Sequence, residues 1–322
     1  MTLELQQLRQ VIALAEHRSF VRASAALHIS QPALSRSIQN LERRFGSSLF
    51  LRSAAGVVPT DLGRVYIERA RDLLRMADEL EGEAIGHAAM QTGRVDVGGG
   101  PYPTDSFLGP AVARFVERFP QVSAQLHSGD WDDLVHRLRS RTLDFFVAET
   151  SLLAREPDLD VVPMPVRHPV YFFARADHPL TTGTATVRAA DAMAWPFATP
   201  SRIPPRVLDP MLAAHREGSS RLPSARPFPA IVCNGLAPVK RIVAASDVVS
   251  ASILPCIAED LDSGRFKLLA TERWMHLQYG VVSLRGRPWT QTSETLRDFV
   301  LEAEDEATRL EHGLREAYSP ES

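Results

Sequence analysis

Gln31, Ser35, Arg36 and Gln39 share one side of a helix if the stretch from Gln31 is helical, because their separations fit a 3.6-residue turn. These side-chain types suit hydrogen bonding to nucleic acid. Glutamine matches the edge of adenine and arginine that of guanine, each good bidentate pair giving about 1–3 kcal/mol of discrimination, and a serine hydroxyl serves either base. Pro32 and Arg43 lie on the same side. Arg52, further along, is of the type that follows a phosphate backbone or enters a minor groove. Taken singly, each of these is an ordinary solvated side chain, and Arg43 and Arg44 can equally pair with Glu42 or its neighbours. Their meaning depends on the elements that carry them.

Those elements are signalled locally. Ser30 is a plausible N-cap, with Pro32 in the first turn, where its missing N–H costs little. Leu34, Ile38, Leu41 and Phe45 line the opposite face of the helix, and Gly46 stops it. Upstream, Leu5, Leu8, Ile12 and Ala15 mark a first amphipathic helix, and Ser19 caps a short alanine-rich one from Val21 to Leu27. Downstream, Leu49–Arg52 and Gly56–Pro59 read as extended pieces joined by the turn Ser53-Ala54-Ala55. Three short helices and a hairpin make a winged helix-turn-helix pattern. Thr60 then caps a long helix reaching about Met90, in which Leu62, Tyr66, Ala70, Leu73, Ala77, Leu80 and Ala84 approach a coiled-coil seam. That seam either packs on its own domain or pairs with a second copy.

Net charge at first argues against a nucleic-acid partner. Over 322 residues it is −3, whereas a basic patch is the usual footprint of phosphate binding. The average conceals an asymmetry: residues 1–59 carry +4, residues 60–90 carry −3 and the remainder −4. Hydrophobic residues make up 44% and charged residues 23%, which excludes a wholly disordered or collagen-like chain. The apolar runs fall short of the ~20 residues of a membrane-spanning helix, and the first ten residues lack a basic cap followed by an apolar stretch. A cytoplasmic protein with no membrane partner is expected. Cys233 and Cys256 share no CxxC spacing and read as small hydrophobes in a reducing compartment.

From Arg94 the texture alternates between strand and helix: Arg94–Val97, Phe107–Phe119, Val122–His127, Asp132–Arg139 and Leu143–Ala148. Such alternation predicts a parallel sheet covered by helices. A second α/β set starts at Val170–Ala174 and runs to about Leu269. It includes a loop-rich stretch from Pro196 to Pro229 that holds eight of the 23 prolines. A late strand, Val281–Leu284, precedes a helix from about Thr292 through Ala317.

Other chemistries find no support. Gly98-Gly99-Gly100 follows a strand but lacks G-x-G-x-x-G and G-K-[ST], and Pro101 comes directly after it. The ten histidines form no H-E-x-x-H and no His/Cys cluster, so no metal and no cofactor are expected. Neither G-x-S-x-G nor S-x-x-K marks a nucleophile, and no catalytic residue is assigned.

The first 63 residues resemble the DNA-binding region of the LysR-type transcriptional regulators. The resemblance is carried by Ser19-Phe20, Ala23, Leu27, Ser30-Gln31-Pro32-Ala33-Leu34-Ser35, Ile38, Leu41-Glu42, Gly46, Leu49-Phe50, Arg52, Thr60 and Gly63. More weakly, Gly93-Arg94-Val95, Phe119-Pro120, Leu143-Asp144 and Ile253-Leu254-Pro255 resemble that family's effector domain. Ser24 stands where alanine is usual, and Asp247 to Ala251 replaces a glycine-containing turn. The acidic stretch from Ala303 extends beyond many members, with Ala303, Ala307, Leu310 and Leu314 as a stripe that can pack on the body.

The resemblance implies an N-terminal winged helix-turn-helix (1–59), a linker or dimerisation helix (60–90) and a C-terminal two-lobed, periplasmic-binding-protein-like α/β effector domain (91–322). Lobe I would span about 91–166 and 271–322 and lobe II about 167–270, with crossovers near Pro165–Val170 and Ala270–Tyr279. It places Ser30, Gln31, Pro32, Ser35, Arg36, Gln39 and Arg52 against DNA, the N-terminal end of the recognition helix towards the base edges. Ligands of open α/β sheets bind beyond the carboxyl ends of strands. That rule points to the loops Pro101–Ser106, Gly129–Trp131 and Glu149–Ser151, faced by Ser201-Arg202 and Asn234-Gly235 of the second lobe, and assigns Pro101, Tyr102, Thr104, Ser106, Trp131, Glu149, Ser201, Arg202 and Asn234 to a small-molecule effector. In that reading Thr104 and Ser106, with free N–H groups at a helix start, hold a carboxylate, Arg202 is its counter-ion, and Tyr102 and Trp131 are walls. The expected protein is a homodimeric or homotetrameric regulator binding operator half-sites, with RNA polymerase as a further candidate partner. The rival is an enzyme or solute-binding body tethered by the head.

Overall fold

The computed structural model describes residues 4–53, 56–84, 93–151, 153, 156–182, 187–219 and 227–318. The chain divides into two compact units, residues 1–93 and 94–322.

In the first unit, α1 (Leu5–His17), α2 (Phe20–Ala26) and α3 (Gln31–Phe45) precede a hairpin of β1 (Phe50–Ser53) and β2 (Gly56–Pro59), and α4 (Asp61–Ala84) follows. Capping side chains set the boundaries. Ser19 Oγ accepts from the Arg22 amide, Ser30 Oγ from the Ala33 amide, and Thr60 Oγ1 from the Gly63 amide at 3.0 Å. Gly46, at φ +66°, ends α3 in the left-handed region. The core joins Val11 and Leu14 of α1, Ala23 of α2, Leu34, Ile38 and Leu41 of α3, Leu49, Val57 and Ile67. Two sequence expectations shift. The buried stripe of α1 is Leu8, Val11 and Leu14, leaving Leu5 exposed, and Phe45 is 44% exposed against Tyr66, because the core is already closed by Leu41 and Leu49. Ser24 is accommodated by donating to the Val21 carbonyl at 3.0 Å.

The second unit holds two five-stranded sheets. The first has the order β4-β3-β5-β12-β6, from β3 (Gly93–Gly99), β4 (Val122–Ser128), β5 (Phe145–Glu149), β6 (Leu159–Pro169) and β12 (His276–Leu284). β3 and β5 are parallel, while β12 runs antiparallel to both β5 and β6. Successive residues of β5 face different clusters: Phe145 and Val147 join the main core, Phe146 and Ala148 the smaller one under α7 (Trp131–Arg139). Both faces are covered, which is why its signal is a continuous apolar run. The second sheet has the order β11-β7-β10-β8-β9, from β7 (Tyr171–Arg175), β8 (Phe197–Thr199), β9 (Ile231–Val232), β10 (Val249–Ser252) and β11 (Phe266–Ala270). The chain crosses between sheets at Val170 and again at residues 271–275. There the Val170 amide donates to the Met275 carbonyl at 2.9 Å and Thr271 Oγ1 to the Val170 carbonyl at 2.8 Å.

The segment Pro101–Ser106, expected as a loop, is helical. α5 (Pro101–Pro103) continues through a π turn, Thr104–Leu108, into α6 (Gly109–Arg118). Pro101 presets the first helical φ, and Thr104 and Ser106 donate their hydroxyls four residues back, to the carbonyls of Gly100 and Tyr102. Asp144 joins three elements by accepting from the Asp96 amide and pairing with the nearly buried Arg287.

α12 (Gln291–Tyr318) closes the first sheet. Of the stripe read from the sequence, Ala303, Ala307 and Leu314 are buried, but Leu310 is half exposed and Glu311 takes the inward position. The reason is His168 at the end of β6, 1% exposed, which sits between Glu311 (2.7 Å from Nδ1) and Glu304 (3.4 Å from Nε2). Burial disfavours the imidazolium, yet the two carboxylates beside it, Glu304 and Glu311, outweigh that and raise the pKa to about 9. A folded-state value above the unfolded ~6.5 gives stability that is complete below that pH and lost as pH rises towards 9. Glu311→Gln is expected to cost roughly 1.5–3 kcal/mol near neutrality and to flatten that decline. Urea unfolding across pH 6–9.5 checks it; a variant with the parental pH slope would refute the assignment.

Candidate functional site

α3 presents the candidate nucleic-acid face. Its inward residues Leu34, Ile38 and Leu41 are buried, so Gln31, Pro32, Arg36 and Gln39 are turned out and exposed, with Ser35 half-buried and Ser30 capping the same end. Arg36 lies along the helix, Nε 3.3 Å from the Pro32 carbonyl. Arg52 is in β1, paired with Val57, and its side chain falls outside the described residues. Glu42, weighed from the sequence as a partner for Arg43 or Arg44, instead accepts the amides of Leu49 (2.8 Å) and Phe50 (3.1 Å) through Oε1. It thereby fixes where β1 leaves α3. Gly63 explains itself too: a Cβ there would run into the Leu49 carbonyl oxygen, the same oxygen that accepts the Thr60 amide. Gly56, at φ +107°, lets its strand pass Arg18, whose carbonyl would lie 2.7 Å from an added Cβ. These contacts bind wing, α1 and α4 to the helix that carries the exposed face.

In the second unit an open cleft of about 570 Å³ lies at the carboxyl ends of β3, β5 and β8. Six of the sequence-derived residues meet there: Pro101, Tyr102, Trp131, Glu149, Ser201 and Arg202. Thr104 and Ser106 do not line it, being turned back onto their own helix, and Asn234 is exposed in the turn before α10 (Leu236–Ala245). The expected carboxylate cradle is corrected as well: Pro101 and Pro103 have no N–H, and the Thr104 amide is spent on the Gly100 carbonyl. Arg202 is no free counter-ion. It pairs with Asp132 and Asp130, and its guanidinium lies 5.7 Å from the centre of the Trp131 ring.

Sequence reasoning missed a second arginine. Arg206, at the start of α9 (Pro205–Ser219), donates to the His276 carbonyl at 2.5 Å and approaches His276 Nε2 at 3.0 Å and Glu149 Oε1 at 3.5 Å. Burial and the Arg206 charge both hold the His276 pKa below its ordinary value, which keeps Nε2 an acceptor for the arginine. Both arginines come from the second-sheet side and both sets of partners from the first, so the pairs bridge the cleft. The Arg that follows Pro204-Pro205 was the available signal. Tyr279 and Leu277 of β12 were not foreseen as floor residues, because a late strand with both faces covered gives no pattern pointing to a ligand.

Among the described residues, no helix is long and apolar enough to cross a membrane and no cluster of His, Cys, Asp and Glu could hold a metal ion. Two family models match the chain: a bacterial regulatory helix-turn-helix protein of the LysR family over residues 5–64, and a LysR substrate binding domain over residues 88–305. The chain belongs to the LysR family of transcriptional regulators. This LysR-family regulator is 35% identical, over 93% of its own length and 96% of the relative's, to an SDS degradation transcriptional activation protein of a Pseudomonas species. Its fold matches a full-length OxyR variant from Pseudomonas aeruginosa at TM-score 0.65 and 20% identity, covering 94% of this chain and 95% of that one. It also matches full-length CbnR in complex with its target DNA at TM-score 0.61 and 18% identity, covering 94% of this chain and all of that one. The fold is thus a helix-turn-helix head with a two-lobed effector domain.

In this regulator Glu42→Ala leaves two partly buried amides without their acceptor, at about 1–3 kcal/mol each. Hydrogen exchange at Leu49 and Phe50 is expected to speed up at least tenfold; unchanged protection would show that the wing is held by other means.

Proposed function

We propose that this LysR-family protein is a ligand-responsive regulator that binds operator DNA through α3 and is modulated by a small molecule in the cleft. The observation that carries the first part is the exposed Gln31, Arg36 and Gln39 on a helix whose other face is buried, in a segment with charge +4. Ser30 and Pro32 set the start of that helix, Ser35 serves base or phosphate, and Arg52 follows the backbone or a minor groove. CbnR was solved with its target DNA, which favours the same use of this fold here.

The working boundaries are a DNA-binding head over 1–59, a linker helix over 60–90 and an effector domain over 91–322, its lobes meeting at the two crossovers. α4 supports self-association. Tyr66 and Ala70 of its seam turn towards its own domain, whereas Leu62, Val65 and Leu73 stay exposed; the side chains of Leu80 and Ala84 lie outside the described residues. A homodimer, or a tetramer built from it, would present two heads to a two-fold operator. Of the effector residues, Pro101, Tyr102, Trp131, Glu149, Ser201 and Arg202 retain that role. The protein acts in the cytoplasm beside its DNA and as a regulator rather than an enzyme, as its family does.

Two measurements test this reading. Arg36→Ala should remove most discrimination between the protein's own promoter region and unrelated DNA in a gel shift at fixed salt, a loss of about 1–3 kcal/mol; unchanged selectivity would refute the recognition-helix assignment. Light scattering at micromolar concentration should give a dimeric or tetrameric mass, and a monomer would refute the role of α4.

A further inference from the structure

We propose that the cleft takes a mainly apolar molecule whose polar end is a hydrogen-bond donor, an alcohol or a primary amine, and not an anion. The inference rests on the reading of this cleft as the effector site.

An anion needs donors, and several of those around the cleft are already engaged. Pro101, Pro103 and Pro204 line it without an N–H to offer. The Gly100 amide donates to the Val147 carbonyl, the Gly129 amide to the Gly99 carbonyl, and the Arg202 amide to Asp130 Oδ1 at 3.2 Å. The Tyr102 hydroxyl is committed to the Ala251 carbonyl at 2.8 Å. Both nearby guanidinium groups are engaged, Arg202 by Asp130 and Asp132, Arg206 by His276 and Glu149. Asp130, Asp132 and Glu149 already engage Arg202 and Arg206, so a bound carboxylate or sulfate would meet three carboxylates at the rim.

Acceptor capacity, by contrast, is left over. The Glu149 side chain is 12% exposed at the end of β5. Its Oε2 takes the amide and hydroxyl of Ser151, while Oε1 has only the distant Arg206 at 3.5 Å, although an ionised carboxylate offers about four lone-pair sites. Tyr279, paired with Glu149 across the sheet, is another lining residue, and its buried hydroxyl has no hydrogen-bond partner among the described residues. A buried unpaired hydroxyl is uncommon and calls for a partner. A ligand hydroxyl or ammonium can donate to Glu149 and accept from, or donate to, Tyr279. The walls of Tyr102, Trp131, Leu277 and the three prolines suit an alkyl or aryl body.

The experiment uses the full-length protein and matched probes: 1-octanol and octylamine against octanoate and octyl sulfate, by thermal shift and then calorimetry. The alcohol or the amine should stabilise the protein and the two anions should not. Tyr279→Phe, which keeps the ring and breaks no internal hydrogen bond, and Glu149→Gln should each weaken binding about tenfold. Tighter binding of either anion, or donor probes that bind both variants as well as the parent, would overturn the donor assignment while leaving the cleft a ligand site. No stabilisation by any probe would overturn the ligand class. Binding untouched by both Trp131→Ala and Leu277→Ala would instead put the ligand elsewhere and fail the underlying reading.

Discussion

The effector body depends on a buried charge at its waist. His168 ends β6, and two residues later the chain leaves the first sheet for the second. Its imidazolium, between Glu304 and Glu311, ties that exit point to α12. One cation between two carboxylates is a costly group to bury, tolerable only because the pairing is close and both ring nitrogens face oxygen. Its consequence is positional. The end of β6 cannot slide along α12 without exposing an uncompensated charge. Tyr279, its ring tilted against the same imidazole at 5.2 Å between ring centres, brings this fixed point to the floor of the cleft.

The contacts across the cleft are of another kind. Arg202 and Asp132 have side chains about half exposed, and exposed pairs of that sort contribute only about 0–1 kcal/mol. Arg206 is better placed, with a carbonyl, a neutral imidazole nitrogen and a carboxylate, yet its side chain is still one-third exposed. The two sheets are thus joined by the chain at Val170 and residues 271–275, share one buried core, and meet at the rim through weak, exposed pairs. A ligand that gains a few kcal/mol from apolar burial can reorganise the rim without challenging the waist. The division of strength follows from burial: the same charge types anchor where water is excluded and yield where it is not.

Legibility in the sequence followed the range of the determining interaction. Ser19, Ser30, Gly46 and Thr60 act within one turn of helix, and the head was readable nearly residue by residue. Phe45 departed because its burial depends on what Leu41 and Leu49 have already filled. In the body, the strands of the first sheet are legible in their apolar runs, whereas Pro101–Ser106 reads as a loop and is helical. Its prolines mark a helix start as readily as a turn, and the hydroxyl bonds that settle it run to carbonyls whose position the sequence does not reveal. Six of the nine residues read at strand ends line one cleft, since strand ends are local, but the charge pairing around it is not legible. Whether Arg202 is free depends on Asp130 and Asp132, about 70 residues away and brought near only by the crossovers. Glu311 was likewise invisible as a buried group, because nothing within α12 indicates that His168 lies opposite.

Several residues that carried the family resemblance shape the backbone. Ser30 caps α3, Glu42 holds two wing amides, Gly63 clears the Leu49 carbonyl, and Asp144 secures the Asp96 amide and Arg287. Each is required by a close approach that another side chain would break. Gln31 and Gln39 are exposed, and among the described residues Arg36 bonds to a carbonyl of its own helix. The fold thus separates two tasks on one helix. Its buried face and caps fix where α3 lies within the head, while its exposed face can be exchanged without disturbing the core. On the proposed use of α3, sequence preference for DNA would change by substitution at two or three positions at little cost in stability, because the exposed side chains are not the groups that hold the helix in place.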